Sequence, residues 1–265
     1  MRIISLARAV AAAALIVTLA NAGAEASTEV DAGRSKSTSS PTFTPNSLDD
    51  QWTLTSRNGV LNVTLVDAIS KNLTIGPYIN VRGRAWNDSF TAPLLVLSPG
   101  DTLNLRFINL LDQPTNLHFH GLRVSPKVGS DNVLMEIAEG KVFDFVVTIP
   151  ADHPPGLYWY HSHMHLTSDA QVMNGMKGGL IIQGLLQPFP KLADVPSTAA
   201  ILNDFYFDPT STTANPVLPL SLSSMDPNKT TNRIVSGLFN PPSPCAPGPR
   251  GSSWWPTWAR TFTTT

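Results

Sequence analysis

Six histidines carry the chemical information in this 265-residue sequence: His118, His120, His153, His161, His163 and His165. Four of them form two His-x-His pairs, Leu117-His118-Phe119-His120-Gly121 and Tyr158-Trp159-Tyr160-His161-Ser162-His163. On a β-strand, residues i and i+2 point to one face, about 6.6 Å apart along the chain. Each pair therefore presents two imidazoles in one direction without strain. If the two strands are neighbours, four rings converge on one pocket, and neutral imidazole suits copper, zinc, iron or nickel. At six histidines in the chain, chance gives roughly 0.13 such pairs. Three occur (118/120, 161/163 and 163/165), so the spacing is not accidental. The metal-ligand set read from the sequence is His118, His120, His161 and His163. His153 sits in a Pro-rich turn and reads as a satisfied structural residue. His165 lies past the second pair and is a weaker candidate.

These pairs need strands to hold them, and the surrounding sequence supplies the pattern. Leu103, Leu105 and Phe107 alternate with Asn104 and Arg106, while Phe143, Phe145, Val147 and Ile149 alternate with Asp144 and Thr148. Period two marks a strand with one buried face. Ser98-Pro99-Gly100-Asp101, Asp112-Gln113-Pro114 and Pro154-Pro155-Gly156 punctuate the runs as turns. Several short strands at this spacing predict an all-β sandwich or Greek-key barrel. One brief helix is expected over Ser168 to Met173, with Ser168 as its cap.

The division expected along the chain is as follows. Residues 1–26 read as a signal peptide: Arg2 and Arg8 precede the mostly apolar run 9–20, which is too short for the roughly 20 residues of a membrane span. Small residues then offer cleavage after Ala22, Ala24 or Ala26. The mature chain is expected to be secreted or periplasmic. Residues 27–49, rich in Ser, Thr, Pro and Asp, read as a flexible leader. The β domain covers 50–185. Residues 186–242 read as a linker and the start of a second, similar domain, with a strand opening at Ala200–Phe205. Residues 243–265 form an irregular tail holding Trp254, Trp255 and Trp258.

Composition excludes several classes. Charged residues make up 14% and the formal net charge is −1, so there is no basic footprint for nucleic acid or an anionic membrane. The single cysteine, Cys245, rules out an intrachain disulfide and a thiolate-rich metal site. Sequons at Asn62, Asn72, Asn87 and Asn228 carry no functional weight.

His118-Phe119-His120-Gly121 and Gly156-Leu157-Tyr158-Trp159-Tyr160-His161-Ser162-His163 resemble the two N-terminal copper motifs of the multicopper oxidases, the laccases among them. The resemblance runs from about Trp52 to Gly184. It implies a cupredoxin-like Greek-key β-sandwich and a three-copper cluster that reduces dioxygen to water with electrons from a phenol, an aromatic amine or a metal ion. By motif position, His118 would ligate the single (type 2) copper. His120, His161 and His163 would serve the paired (type 3) coppers, with His120 and His161 sharing one of them. Phe119, Trp159 and Tyr160 would pack around the imidazoles. Asp131, in the loop after the first motif, would be the catalytic acid relaying protons; Glu136 and Glu139 have weaker claims, and a solvated loop aspartate remains an equal reading of Asp131.

The family cluster takes about twice these ligands, and its blue-copper (type 1) site needs a His-Cys-His segment. No histidine follows His165, and Cys245 is flanked by Pro244 and Ala246. Thr231-Asn232-Arg233-Ile234-Val235-Ser236-Gly237-Leu238-Phe239-Asn240-Pro241 resembles the opening of the family's second domain, and beyond Pro242 the likeness stops. A frameshift or mis-assigned gene end near Pro242 is the expectation. The leading reading is a laccase-like oxidase contributing half of a trinuclear site, with a partner subunit bringing the missing ligands. The alternative is an exported copper-binding domain without redox turnover. A zinc hydrolase is disfavoured, because no His-Glu-x-x-His segment is present.

Overall fold

The computed structural model describes residues 52–192, 197–220 and 232–239, together with the backbone of Leu15–Leu19 (for Ser197 and Thr198, backbone alone). The elements run in the order β1 (Leu15–Leu19), β2 (Thr53–Thr55), β3 (Val60–Ile75), β4 (Tyr78–Trp86), β5 (Leu94–Leu97), β6 (Thr102–Asn109) and β7 (His118–His120). They continue with β8 (Val142–Thr148), β9 (Gly156–His161), α1 (Ser168–Met173), β10 (Lys177–Ile182), β11 (Ser197–Phe205) and β12 (Asn232–Val235). The expected tail at 243–265, the flexible leader at 27–49 and the sequon at Asn228 lie outside the described residues.

Two sheets build the main domain, one in the order β2-β5-β10-β9-β7 and one in the order β4-β3-β6-β8. Their facing rows fill the core. Leu61, Val63 and Leu65 of β3, Leu103, Leu105 and Phe107 of β6, and Phe145 of β8 come from one side. Leu95 and Leu97 of β5, Phe119 of β7, Tyr160 of β9, and Leu180 and Ile182 of β10 come from the other. Non-polar side chains at every second position make this possible, because successive Cβ atoms alternate across a sheet. The result is a β-sandwich, as the alternation predicts, and of the cupredoxin-like kind that the resemblance implies. Trp86 lies flat on Tyr160, with centroids 5.4 Å apart and planes 9° apart, and stands edge-on to Phe107.

The helix falls at Ser168–Met173, but its N-cap residue is Thr167, one position earlier than expected, and no side chain caps it. Asn87, in one of the sequons, is buried; its Oδ1 accepts from the Val66 N–H and its Nδ2 donates to the Thr64 carbonyl. That amide is committed to the fold.

A second, smaller core joins the far half of β3 and β4 to the later strands. Leu73, Ile75, Val81, Ala85 and Phe90 meet Phe205, Leu218 and Ile234. The strand expected to open at Ala200 is β11, which pairs with β12 on one edge and with the backbone of β1 on the other.

One residue breaks the apolar row. Asp67 continues the inward series Leu61, Val63, Leu65 on β3 and is fully buried, opposite Trp86 on β4 and Asn109 on β6. Neither carboxyl oxygen has a hydrogen-bond partner among the described residues, nor does Trp86 Nε1. Burial pushes the Asp67 carboxyl well above the usual carboxylate range, and Arg84 only partly opposes the shift.

Candidate metal centre

The two histidine motifs become adjacent antiparallel strands. β7 pairs with β9 in the register His118↔His161, Phe119↔Tyr160, His120↔Trp159. In this register the residue between each pair of histidines, or just before it, is the anchor. Phe119 and Tyr160 point inward and are fully buried, and the Tyr160 hydroxyl donates to the Pro93 carbonyl at 2.6 Å. The histidines therefore stand on the opposite face. Of the three aromatics expected around the imidazoles, only Trp159 packs on their rings; Phe119 and Tyr160 hold the strands from the core side. Trp159 stacks on His161 at 4.0 Å with planes 20° apart and lies 5.0 Å from the His120 ring.

Ligand-type nitrogens of His118, His120 and His161 all lie within 4.8 Å of one another. His120 Nδ1 and His161 Nε2 are 3.4 Å apart. Two nitrogens on one tetrahedral ion, each about 2.0–2.1 Å from it, stand about 3.3 Å apart, so the spacing fits a shared ion. The His163 ring centroid is 5.2 Å from that of His118 and 5.8 Å from that of His161, on the rim of the group. His165 is exposed. His153 is buried away from the cluster: its Nε2 accepts from the Arg123 N–H at 2.9 Å, and its ring packs on Tyr158. It has the structural role expected of it.

Fixed partners decide which ring nitrogen each imidazole offers. His118 Nδ1 lies 2.8 Å from Asp131 Oδ1, which also accepts the Phe119 N–H at 3.0 Å. A carboxylate there takes an Nδ1 proton and leaves Nε2 bare for a metal. His161 Nδ1 is 2.7 Å from the Ser162 carbonyl, which requires a donated proton and again frees Nε2. Burial, chiefly, together with the neighbouring imidazoles pulls the His161 pKa down to about 4, so its ring is neutral over ordinary pH. Burial and the adjacent rings lower that of His120 as well. Imidazoles aimed in this way are suited to copper or zinc. Glu136 and Glu139 are exposed, and no contact ties either to the cluster.

Two buried amides, which the sequence reading did not single out, support the strands. Asn116 Oδ1 accepts the His163 N–H, while its Nδ2 donates to the Val133 and Met135 carbonyls of the loop that carries Asp131. Gln171, on α1, reaches the residues flanking both motifs.

This arrangement defines a class: a cupredoxin-like domain with paired imidazoles on adjacent strands. The sequence profile of the family described as multicopper oxidase matches residues 70–186. The laccase-1 of Thanatephorus cucumeris is 30% identical over 132 residues, covering 46% of this chain and 22% of that protein. The multicopper oxidase mco of Staphylococcus aureus is 32% identical over 109 residues, covering 41% of this chain and 23% of that protein. Among solved structures, the McoA multicopper oxidase of Aquifex aeolicus superposes with a TM-score of 0.56 at 20% identity, over 76% of this chain and 43% of that one, and shares the fold. Over residues 70–186 the β-sandwich of this chain is similar to laccase-like multicopper oxidase domains. The chain spans 22–23% of the length of these two curated relatives.

Proposed function

We propose that this chain supplies half of a trinuclear copper site of the laccase type. The observation that carries the reading is the convergence of His118, His120 and His161 within 4.8 Å on two paired strands. His118 would hold the single (type 2) copper through Nε2. His120 and His161 would share one ion of the type 3 pair, through Nδ1 and Nε2 respectively, and His163 would hold the other. These residues would hold copper, which when bound would supply the redox chemistry for reducing dioxygen to water. The residues of this chain orient the imidazoles, and Asp131 holds a proton beside the site at Nδ1 of His118. The remaining ligands, and the blue-copper thiolate, are proposed to come from outside this sequence, for instance from a partner subunit. The reducing substrate, whether phenol, aromatic amine or metal ion, would meet the protein there.

A second reading, a copper-holding domain without turnover, is favoured for the chain alone by its donor set: imidazoles with no thiolate among the described residues. For location, we propose export to the periplasm or exterior. The reading rests on Arg2, Arg8 and the short apolar run 9–20 of the expected signal peptide. Among the described residues no helix is long and apolar enough to cross a membrane.

Loading the full chain with Cu(II) tests the proposal. Nitrogen-ligated copper by electron paramagnetic resonance supports it, and a preference for zinc in competition refutes it. Oxygen uptake with a phenol then separates the oxidase from the passive holder. Replacing Asp131 with Asn should lower Cu(II) affinity by about 10–100-fold, since changes to groups that orient a ligating histidine have that effect. Titration by calorimetry checks it, and an unchanged affinity would remove Asp131 from the site.

A further inference from the structure

Gln171 sits on α1, outside both histidine motifs, and is fully buried. Its Oε1 accepts from the Thr115 hydroxyl at 2.9 Å and also from the Ser162 hydroxyl. The two hydroxyls are themselves 3.3 Å apart. Its Nε2 donates to the Pro114 carbonyl at 3.1 Å. Ser162 lies between His161 and His163, and Thr115 lies three residues before His118. All three side chains have no exposure to solvent.

We propose that Gln171 is the positioning residue that fixes the two histidine strands against each other at the metal site. The inference deepens the copper-site reading and rests on it. A backbone ladder holds β7 to β9 over only three residue pairs, His118↔His161 to His120↔Trp159. Such a short ladder leaves the approach segment Pro114–Leu117 and the exit Ser162–His163 without further backbone pairing, so that side chains must span them, as Asn116 Oδ1 does in accepting the His163 N–H. The carboxamide closes that gap, because one acceptor takes a hydroxyl from each segment and the amide donor takes a carbonyl from the first. A buried polar network of this kind specifies one geometry, since every alternative leaves groups unpaired in a low dielectric. The helix supplies rigidity: Ala170, Val172 and Met173 are buried beside Gln171, and Asn174 ties the helix end to β4 by accepting the Arg84 N–H at 2.8 Å.

Three variants of the full chain test this: Gln171→Leu, Thr115→Val and Thr115→Ser. The first two remove a hydrogen-bonding partner with little change in size, and the third keeps the hydroxyl. Cu(II) affinity is expected to fall by about 10–100-fold in Gln171→Leu and Thr115→Val and to stay at the parental value in Thr115→Ser. In the metal-free chain, nuclear magnetic resonance of the imidazoles should show the His161 and His163 ring signals shifted or broadened in the same two variants, with core methyl signals preserved. If Gln171→Leu does not fold, Thr115→Val decides. Folded variants with parental affinity and parental ring signals would overturn the inference. Should the parent chain bind no copper, the proposed function fails, and the metal-free ring signals alone judge Gln171.

Discussion

Replacing His161 with Ala should weaken Cu(II) binding by more than about a hundredfold, beyond the loss expected from a mere supporting group, while the domain remains folded. His161 is the ring with most at stake. It is the most buried of the clustered imidazoles, its Nε2 lies 3.4 Å from His120 Nδ1, and Trp159 stacks on its face. Its low pKa, about 4, means that protons do not compete for it between pH 5 and 7, where an ordinary imidazole titrates. The contrast is His153→Ala. That change leaves the Arg123 N–H unpaired and should cost about 1–3 kcal/mol of stability, with copper affinity untouched. Calorimetric titration and a urea melt on both variants check the pair. Equal losses of affinity would mean that the cluster is no metal site.

Asp67→Asn should stabilise the domain at neutral pH, by about 1.4 kcal/mol for each pH unit by which the folded carboxyl titrates above the unfolded one. The sign follows from the raised carboxyl pKa. Below about pH 4 the carboxyl is protonated in both folded and unfolded chains, and it costs the fold no charge burial. As pH rises, the unfolded chain ionises freely while the folded chain holds its proton. Stability therefore falls from about pH 4 upward until the folded carboxyl itself ionises. The Asn variant lacks this slope. Urea midpoints measured from pH 4 to 8 should fall with pH more steeply in the parent than in the variant. Parallel curves would show that Asp67 is solvated or paired after all.

Much of the fold and the position of the cluster were legible in the sequence, for a physical reason. Alternation is a local signal, and β6 and β8 follow it residue by residue. The two histidine pairs could be placed on strands because period two is also the spacing at which imidazoles share a face. What was not legible depends on register between distant segments. Gln171 and Asn116 are ordinary amides until the chain brings Ser162, Thr115 and the 131–135 loop to them. Phe119 and Tyr160 were read as neighbours of the imidazoles, yet the alternation that aligns the histidines sends these rings to the other side. Asp67 was open to discovery: it occupies the inward phase of the run Leu61, Val63, Leu65, and the phase alone marks it as buried. The second core, built from Leu73, Ile75, Val81, Phe205, Leu218 and Ile234, joins segments more than a hundred residues apart, and no local pattern announces it.

The interleaving of rings on β7 and β9 has an evolutionary consequence. Phe119 and Tyr160 alternate with His118, His120 and His161 on the same two short strands, so a change of volume inside the sandwich that shifts the strands tilts the imidazoles outside it. Drift at those interior positions is therefore never neutral for the imidazole geometry, and any selection on the ring cluster extends to the hydrophobic packing beneath it.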